Sequence, residues 1–169
     1  MDLNKLSDLE IVKLIKDKAI GAKELTDARI CPTCFDKKSH YVLYGDKKER
    51  MLYEDDDMEC FLITNPRSLG HTIISSKKHY KDLMELPNEL VEKTFLIAKK
   101  LMLIIKEVYG AESVYLCTMC DGPMNHFHVQ LIPRYQNEKR GSSNFVKERK
   151  EYYHQKDKIS EIRKKLSNK

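Results

Sequence analysis

The stretch His126-Phe127-His128-Val129-Gln130-Leu131 alternates polar and apolar side chains without a break, and this pattern constrains the chain more than any other. Side chains alternate faces along a strand, so His126, His128 and Gln130 point one way and Phe127, Val129 and Leu131 the other. The apolar set requires a covered face. The polar set lines the opposite face at a spacing of about 6.6 Å, and two imidazoles and a carboxamide are costly to bury without function. Residues 87–109 can supply the cover. Leu90, Val91, Phe95, Ala98, Leu101, Met102, Ile105 and Val108 recur there at helical spacing, Pro87 suits a first helical position and Gly110 a stop. A helix of that length is roughly 33 Å long, enough to cross a sheet.

The remaining elements are shorter. Ser7-Asp8-Leu9-Glu10 is a capping box opening a helix with Leu9, Val12, Ile15 and Ala19 on one face and Gly21 as its stop. Residues 41–44, 51–54, 59–64, 71–75, 113–119 and 125–133 have strand character. Turn signals separate them at Gly45-Asp46, Asp55-Asp56-Asp57, Asn65-Pro66 and Asp121-Gly122-Pro123. The acidic turn reads as a solvated charge run, and residues 145–166 as a charged helix. The expected fold class is therefore α+β: an antiparallel sheet covered by one long helix, with N- and C-terminal helical extensions. The expected divisions are 1–29, a central domain over 30–135, and a basic extension over 136–169.

No apolar run approaches the 18 residues of a membrane span, and Met1-Asp2-Leu3-Asn4 offers no signal-peptide core, so a cytoplasmic location is expected. Five cysteines, an odd number, argue against a disulfide framework and leave metal-binding or catalytic roles open. The net charge of +5 is unevenly placed: residues 136–169 carry eleven Lys/Arg against five Asp/Glu, so the whole excess lies in the C-terminal segment. Such a segment attracts polyphosphates or nucleic acid, although a solvated lysine-rich helix is the simpler reading.

A strand face of the His-x-His type has two chemical uses. It can ligate a metal, or one neutral imidazole can attack an electrophile while an acceptor, such as a neighbouring backbone carbonyl, holds the proton of its far nitrogen. The segment His126-Phe127-His128-Val129-Gln130-Leu131-Ile132 resembles the motif of the histidine-triad (HIT) superfamily. Flanking stretches agree: Leu52-Tyr53-Glu54-Asp55, Asn65-Pro66 through Gly70-His71-Thr72-Ile73-Ile74, and Ser76-Lys77-Lys78-His79.

The resemblance implies a nucleotide hydrolase, nucleotidyltransferase or phosphorylase that cleaves a phosphoanhydride of a dinucleoside polyphosphate or nucleoside-diphosphate sugar. His128 would be the nucleophile forming a nucleotidyl-histidine, with His71 and Gln130 on the transferred phosphate and a homodimer as the assembly. Gln130 stands where the triad has its third histidine, as in the galactose-1-phosphate uridylyltransferase and diadenosine-tetraphosphate phosphorylase branch. Glutamine donates hydrogen bonds but is no general acid near neutral pH, which disfavours amine leaving groups. Ile63 occupies the position where many members carry a ribose-binding Asp or Asn, so Asn65, Asn125 and Gln130 are the expected substrate contacts. Two other functions remain open: a nucleotide-binding regulatory module with weak activity, and a nucleic-acid 5′-adenylate processor using the basic tail.

Cys31-Pro32-Thr33-Cys34 has the spacing of a zinc knuckle and needs two more ligands. Resemblance to zinc-bearing members of the superfamily supplies His79 and His126, giving a structural Cys31/Cys34/His79/His126 zinc site. Rival arrangements are a four-thiolate site with Cys117 and Cys120, a metal shared by His126 and His128, and no metal at all. Burial as a small hydrophobe is the plainer role for Cys117. His40 and His154 are expected at the surface.

Overall fold

A computed structural model describes residues 1–120, 122–151 and 156–168. The expected surface position of His154 and the Asp121 part of the turn at 121–123 lie outside the described residues. Five strands form one antiparallel sheet: β1 (Met51–Glu54), β2 (Met58–Leu62), β3 (Thr72–Ser76), β4 (Ser113–Cys117) and β5 (His128–Arg134), in the spatial order β1-β2-β3-β5-β4. The α+β class, with its antiparallel sheet and long covering helix, is as expected.

Alternation in the sequence becomes a two-faced sheet. Met58, Cys60, Leu62, Ile74, Val129 and Leu131 all join one hydrophobic core. That core is closed by α4 (Asn88–Tyr109), whose Ala98, Leu101, Ile105 and Val108 face the strands. Pro87 is the N-cap rather than the first helical residue, and Gly110 ends the helix at φ 68°, a left-handed conformation that glycine adopts at no steric cost. A second helix, α5 (Lys156–Ser167), adds fully buried Ile162 and nearly buried Ile159 to the same core.

The N-terminal segment forms α1 (Asp8–Lys16), α2 (Ala22–Asp27) and α3 (Pro32–Lys38) around a separate cluster of Leu3, Ile11, Ile15, Leu25 and Phe35. The capping box is present: Glu10 accepts from the Ser7 N–H at 2.8 Å. The buried face of α1 is rotated from expectation. Ile11 and Ile15 point inward, whereas Leu9 is 82% exposed, because the helix ends at Lys16 and its contacts come from two short helices that hydrophobic periodicity did not reveal.

Three other expectations are corrected. Residues 41–44 form a turn and not a strand. The buried Asp36 carboxylate accepts the N–H groups of Leu43 and Tyr44, and His40 and Tyr41 have positive φ, so local hydrogen bonding overrides an apolar-aromatic run. The charged helix expected from residue 145 starts only at Lys156. A short 3-10 turn at Ser142–Val146 comes first, and residues 147–151 then run as an extended strap along the β2–β3 loop, where Lys150 N–H donates to the Pro66 carbonyl at 3.0 Å. The acidic turn is also less solvated than expected, since Lys93 bridges Asp55 and Asp57.

Candidate functional site

The sheet face turned away from α4 carries the polar members of the alternation. Register places Gln130 opposite Ile73 and His128 opposite Ser75, while His71 stands at the entrance of β3. A fixed chain of hydrogen bonds joins them. Arg67 N–H donates to His71 Nδ1 at 3.1 Å, so His71 carries its proton on Nε2 and donates it to Gln130 Oε1, also at 3.1 Å. Gln130 must then turn its NH2 group toward His128, whose Nε2 lies 3.5 Å away.

On its other side, His128 Nδ1 is 2.9 Å from the backbone carbonyl of His126. A carbonyl only accepts, so Nδ1 holds the proton and Nε2 presents a lone pair. His71 and Gln130 are buried. Burial, reinforced by the charge of Arg149, pushes the His71 pKa down to about 3, so its imidazole is neutral, as the hydrogen-bond chain requires.

Close approach at one glycine fixes His71. Gly70 has φ +82°, and a Cβ there would lie 2.8 Å from the Tyr109 ring. Tyr109, at the end of α4, thus closes against the loop that delivers His71.

His128 lies at the junction of two clefts. The larger, about 440 Å³, has apolar walls from Leu43, Phe61, Ile63 and Ile73 and includes Asn65 and Arg149. The smaller, about 350 Å³, lies beside α2 and includes Lys23, Met124 and Asn125. Asn65 and Asn125 therefore line different clefts, and Asn125 spends one amide hydrogen on the Lys81 carbonyl. The larger cleft is the size of a small-molecule site. At its far end Lys47, buried over the Phe61 ring, donates to buried Glu59 at 3.0 Å, so both charges are paired.

Behind the nucleophile-like imidazole, Cys31, Cys34, His79 and His126 bring four ligand atoms within 4.8 Å of one another. Local sequence explains the thiol pair: Pro32 opens α3, and Cys31 Sγ, at its N-cap, accepts from Cys34 N–H. Cys34 Sγ is 3.4 Å from both His79 Nδ1 and His126 Nδ1, and Cys31 Sγ is 3.7 Å from His126 Nδ1. Sulfur and nitrogen ligands on a tetrahedral zinc stand about 3.6 Å apart by bond-length geometry. His126 Nε2 donates to the Ser76 carbonyl at 2.8 Å, which leaves Nδ1 bare and aimed at the thiols. The donor set and its outer hydrogen bond fit a closed zinc site. Burial and the neighbouring Cys31 push the Cys34 thiol up to about 12, so a metal would displace protons on binding.

Rival arrangements fare worse. Cys117 is half-buried on the cleft face, Cys120 is exposed, and neither belongs to the Cys/His cluster found among the described residues. His128 is not in that cluster either, and its Nδ1 is occupied by the His126 carbonyl. Sequence reasoning missed Arg67, Ser76 and Arg149. Ser76 and Arg149 act across long sequence separations, and Arg67 orients His71 through a backbone N–H that any residue type would offer, so spacing carries no signal for them.

Residues 45–137 match the HIT domain model, more than half of the chain. The chain belongs to the HIT family, whose members are nucleotide-binding hydrolases or transferases. Among curated relatives, the Arabidopsis thaliana adenylylsulfatase HINT3 is 32% identical over 97 residues, covering 55% of this chain and about half (49%) of that protein. Among solved structures, a hypothetical histidine triad nucleotide-binding protein from Sulfolobus tokodaii has a TM-score of 0.62 at 24% identity, covering 82% of this chain and 93% of that one. A zinc-bound histidine triad family protein from Mycobacterium smegmatis has a TM-score of 0.56 at 20% identity, covering 69% and 83%. At these identities the two structures show the shared fold. No described helix is long and apolar enough to cross a membrane.

Proposed function

We propose that the chain cleaves a nucleotide phosphoanhydride, in a dinucleoside polyphosphate or a nucleoside-diphosphate sugar, through a nucleotidyl-histidine on His128. The observation that carries this reading is the proton placement along Arg67, His71, Gln130 and His128, which leaves the His128 Nε2 lone pair facing the clefts. The nucleoside occupies the cleft walled by Phe61 and Ile63, with Asn65 at its edge. Nε2 attacks the α-phosphorus, the P–O bond to the leaving phosphate breaks, and its electron pair leaves with that oxygen. The His126 carbonyl holds the Nδ1 proton throughout and faces the positive charge that develops on the ring. Gln130, its amide oriented by His71, donates to a non-bridging oxygen of the transferred phosphoryl group. Water or a phosphorylated acceptor then attacks the same phosphorus and frees Nε2.

Gln130 cannot protonate a leaving group, so the site suits groups that depart as phosphates. That property supports kinship with the galactose-1-phosphate uridylyltransferase and diadenosine-tetraphosphate phosphorylase branch. Cys31, Cys34, His79 and His126 would hold a structural zinc, which supplies a rigid cross-link and takes no part in bond breaking. It would anchor His126, the residue whose carbonyl orients His128. A homodimer remains the expected assembly, and α4 leaves Leu96 and Leu103 exposed at 68% and 65% as apolar surface for it.

The test is turnover of diadenosine polyphosphates and nucleoside-diphosphate sugars by wild type and His128→Ala. We expect the variant to lose at least about a thousandfold in kcat while still binding nucleotide. Full activity in His128→Ala would refute the reading.

A further inference from the structure

The β2–β3 loop and the 147–151 strap run side by side. The Arg67 guanidinium donates to the Lys147 carbonyl, Lys150 N–H donates to the Pro66 carbonyl at 3.0 Å, and the Arg149 guanidinium donates to the Asn65 carbonyl at 3.0 Å. The strap thereby carries Arg149, a residue of the basic C-terminal segment, to the larger cleft that it lines together with Asn65 and His128. Arg67 sits deeper. Its backbone orients His71, and its Nε is a buried donor with no hydrogen-bond partner among the described residues.

Among the described residues no acid pairs with either cation: the arginines in ion pairs are Arg134 and Arg140, not Arg67 or Arg149. Their hydrogen bonds to the Lys147 and Asn65 carbonyls set both guanidiniums on the same pair of segments, and partial desolvation of the still exposed Arg149 together with the charge of Arg67 lowers the Arg149 pKa. An arrangement of this kind is repulsive as it stands and is relieved by an anion. Among the described residues each guanidinium donates one side-chain N–H to a backbone carbonyl, and a guanidinium has five N–H donors in all. Planar guanidinium forks match phosphate oxygens better than any other side chain.

We propose that Arg67 and Arg149 form a guanidinium pair that grips the phosphate chain next to the phosphorus attacked by His128. The site therefore selects nucleotides with two or more linked phosphates. This rests on the phosphoanhydride reading above and adds the residues that select its phosphate chain and the function of part of the basic tail, which reaches into the site instead of serving only as a solvated surface.

The experiment uses the full chain with Arg149→Gln, whose side chain is exposed and outside the core, and Arg149→Lys as a charge-keeping control. Inorganic tripolyphosphate binding is measured by calorimetry. In parallel, kcat/KM is compared between diadenosine tetraphosphate and a nitrophenyl ester of adenosine monophosphate, which has a single phosphate. Arg149→Gln is expected to bind tripolyphosphate about ten- to a hundredfold more weakly, with Arg149→Lys between it and wild type. Its loss of kcat/KM is expected to be at least about tenfold larger for the tetraphosphate than for the ester. Unchanged tripolyphosphate binding, or equal losses on both substrates, would overturn the pair. Tripolyphosphate binding that depends on Arg149, in a wild-type protein that turns over neither nucleotide or whose His128→Ala variant keeps full turnover, would uphold the pair and reject the His128 mechanism.

Discussion

Neutral His71 is the residue on which the polar face depends, because its proton placement sets that of Gln130 and, through it, the surroundings of His128. Burial holds the His71 pKa near 3 in the folded chain, against about 6.5 when unfolded. Below about pH 6.5 the unfolded chain takes up this proton first, so the stabilisation is complete above that pH and is lost as pH falls toward 3. The melting temperature should therefore drop on acidification over that window, and the drop should be shallower in His71→Asn. Carboxylates held below their ordinary range, such as Glu112 hydrogen-bonded to Arg134, leave a residual slope in the variant. An acid limb of unchanged steepness in thermal melts of His71→Asn would show that the imidazole is not held neutral by the fold.

Elements matter through what ties them together. The four thiol and imidazole ligands come from α3 and its N-cap, from the segment after β3 and from two residues before β5, so a zinc ion would staple the N-terminal helices to the strand bearing His128. Metal analysis of the purified chain should give one zinc per chain. Cys34→Ser should lose it and melt more than about 5 °C lower, since structural zinc binding is coupled to folding. A metal-free preparation that melts with wild type would remove the zinc assignment. How far these elements were legible depends on the range of the forces that make them. The β5 alternation, the capping box at Ser7 and Glu10, and the span of α4 between Pro87 and Gly110 are local patterns and are present in the structure. The turn at 41–44 escaped because the Asp36 carboxylate organises it from outside the run. The strap at 147–151 escaped because it pairs with a loop some 80 residues away. His128 and Gln130 stood out by alternation, whereas joining His79 and His126 to the cysteine pair required resemblance to a family.

At the scale of the whole molecule, the C-terminal segment is built into the fold. Ile162 is fully buried in the core shared by the sheet and α4. Lysine and arginine head groups pin α5 to backbone carbonyls elsewhere: Lys158 Nζ donates to Val108 at 2.7 Å and Arg163 Nε to Met51 at 2.7 Å. Ile162→Ala should cost about 2–4 kcal/mol in urea unfolding. A change under about 0.5 kcal/mol, the size expected of a surface substitution, would mean that α5 is not part of the core. Because α5 follows the strap that carries Arg149, the segment that completes the core also presents a cation to the site.

The most direct measurement is intact mass and peptide mapping of protein acid-quenched during brief exposure to a dinucleoside polyphosphate. A covalent nucleotidyl adduct mapped to His128, and absent from His128→Ala, is the predicted result. Turnover without any adduct, or an adduct mapped to a different residue, would contradict the assignment of His128 as the nucleophile.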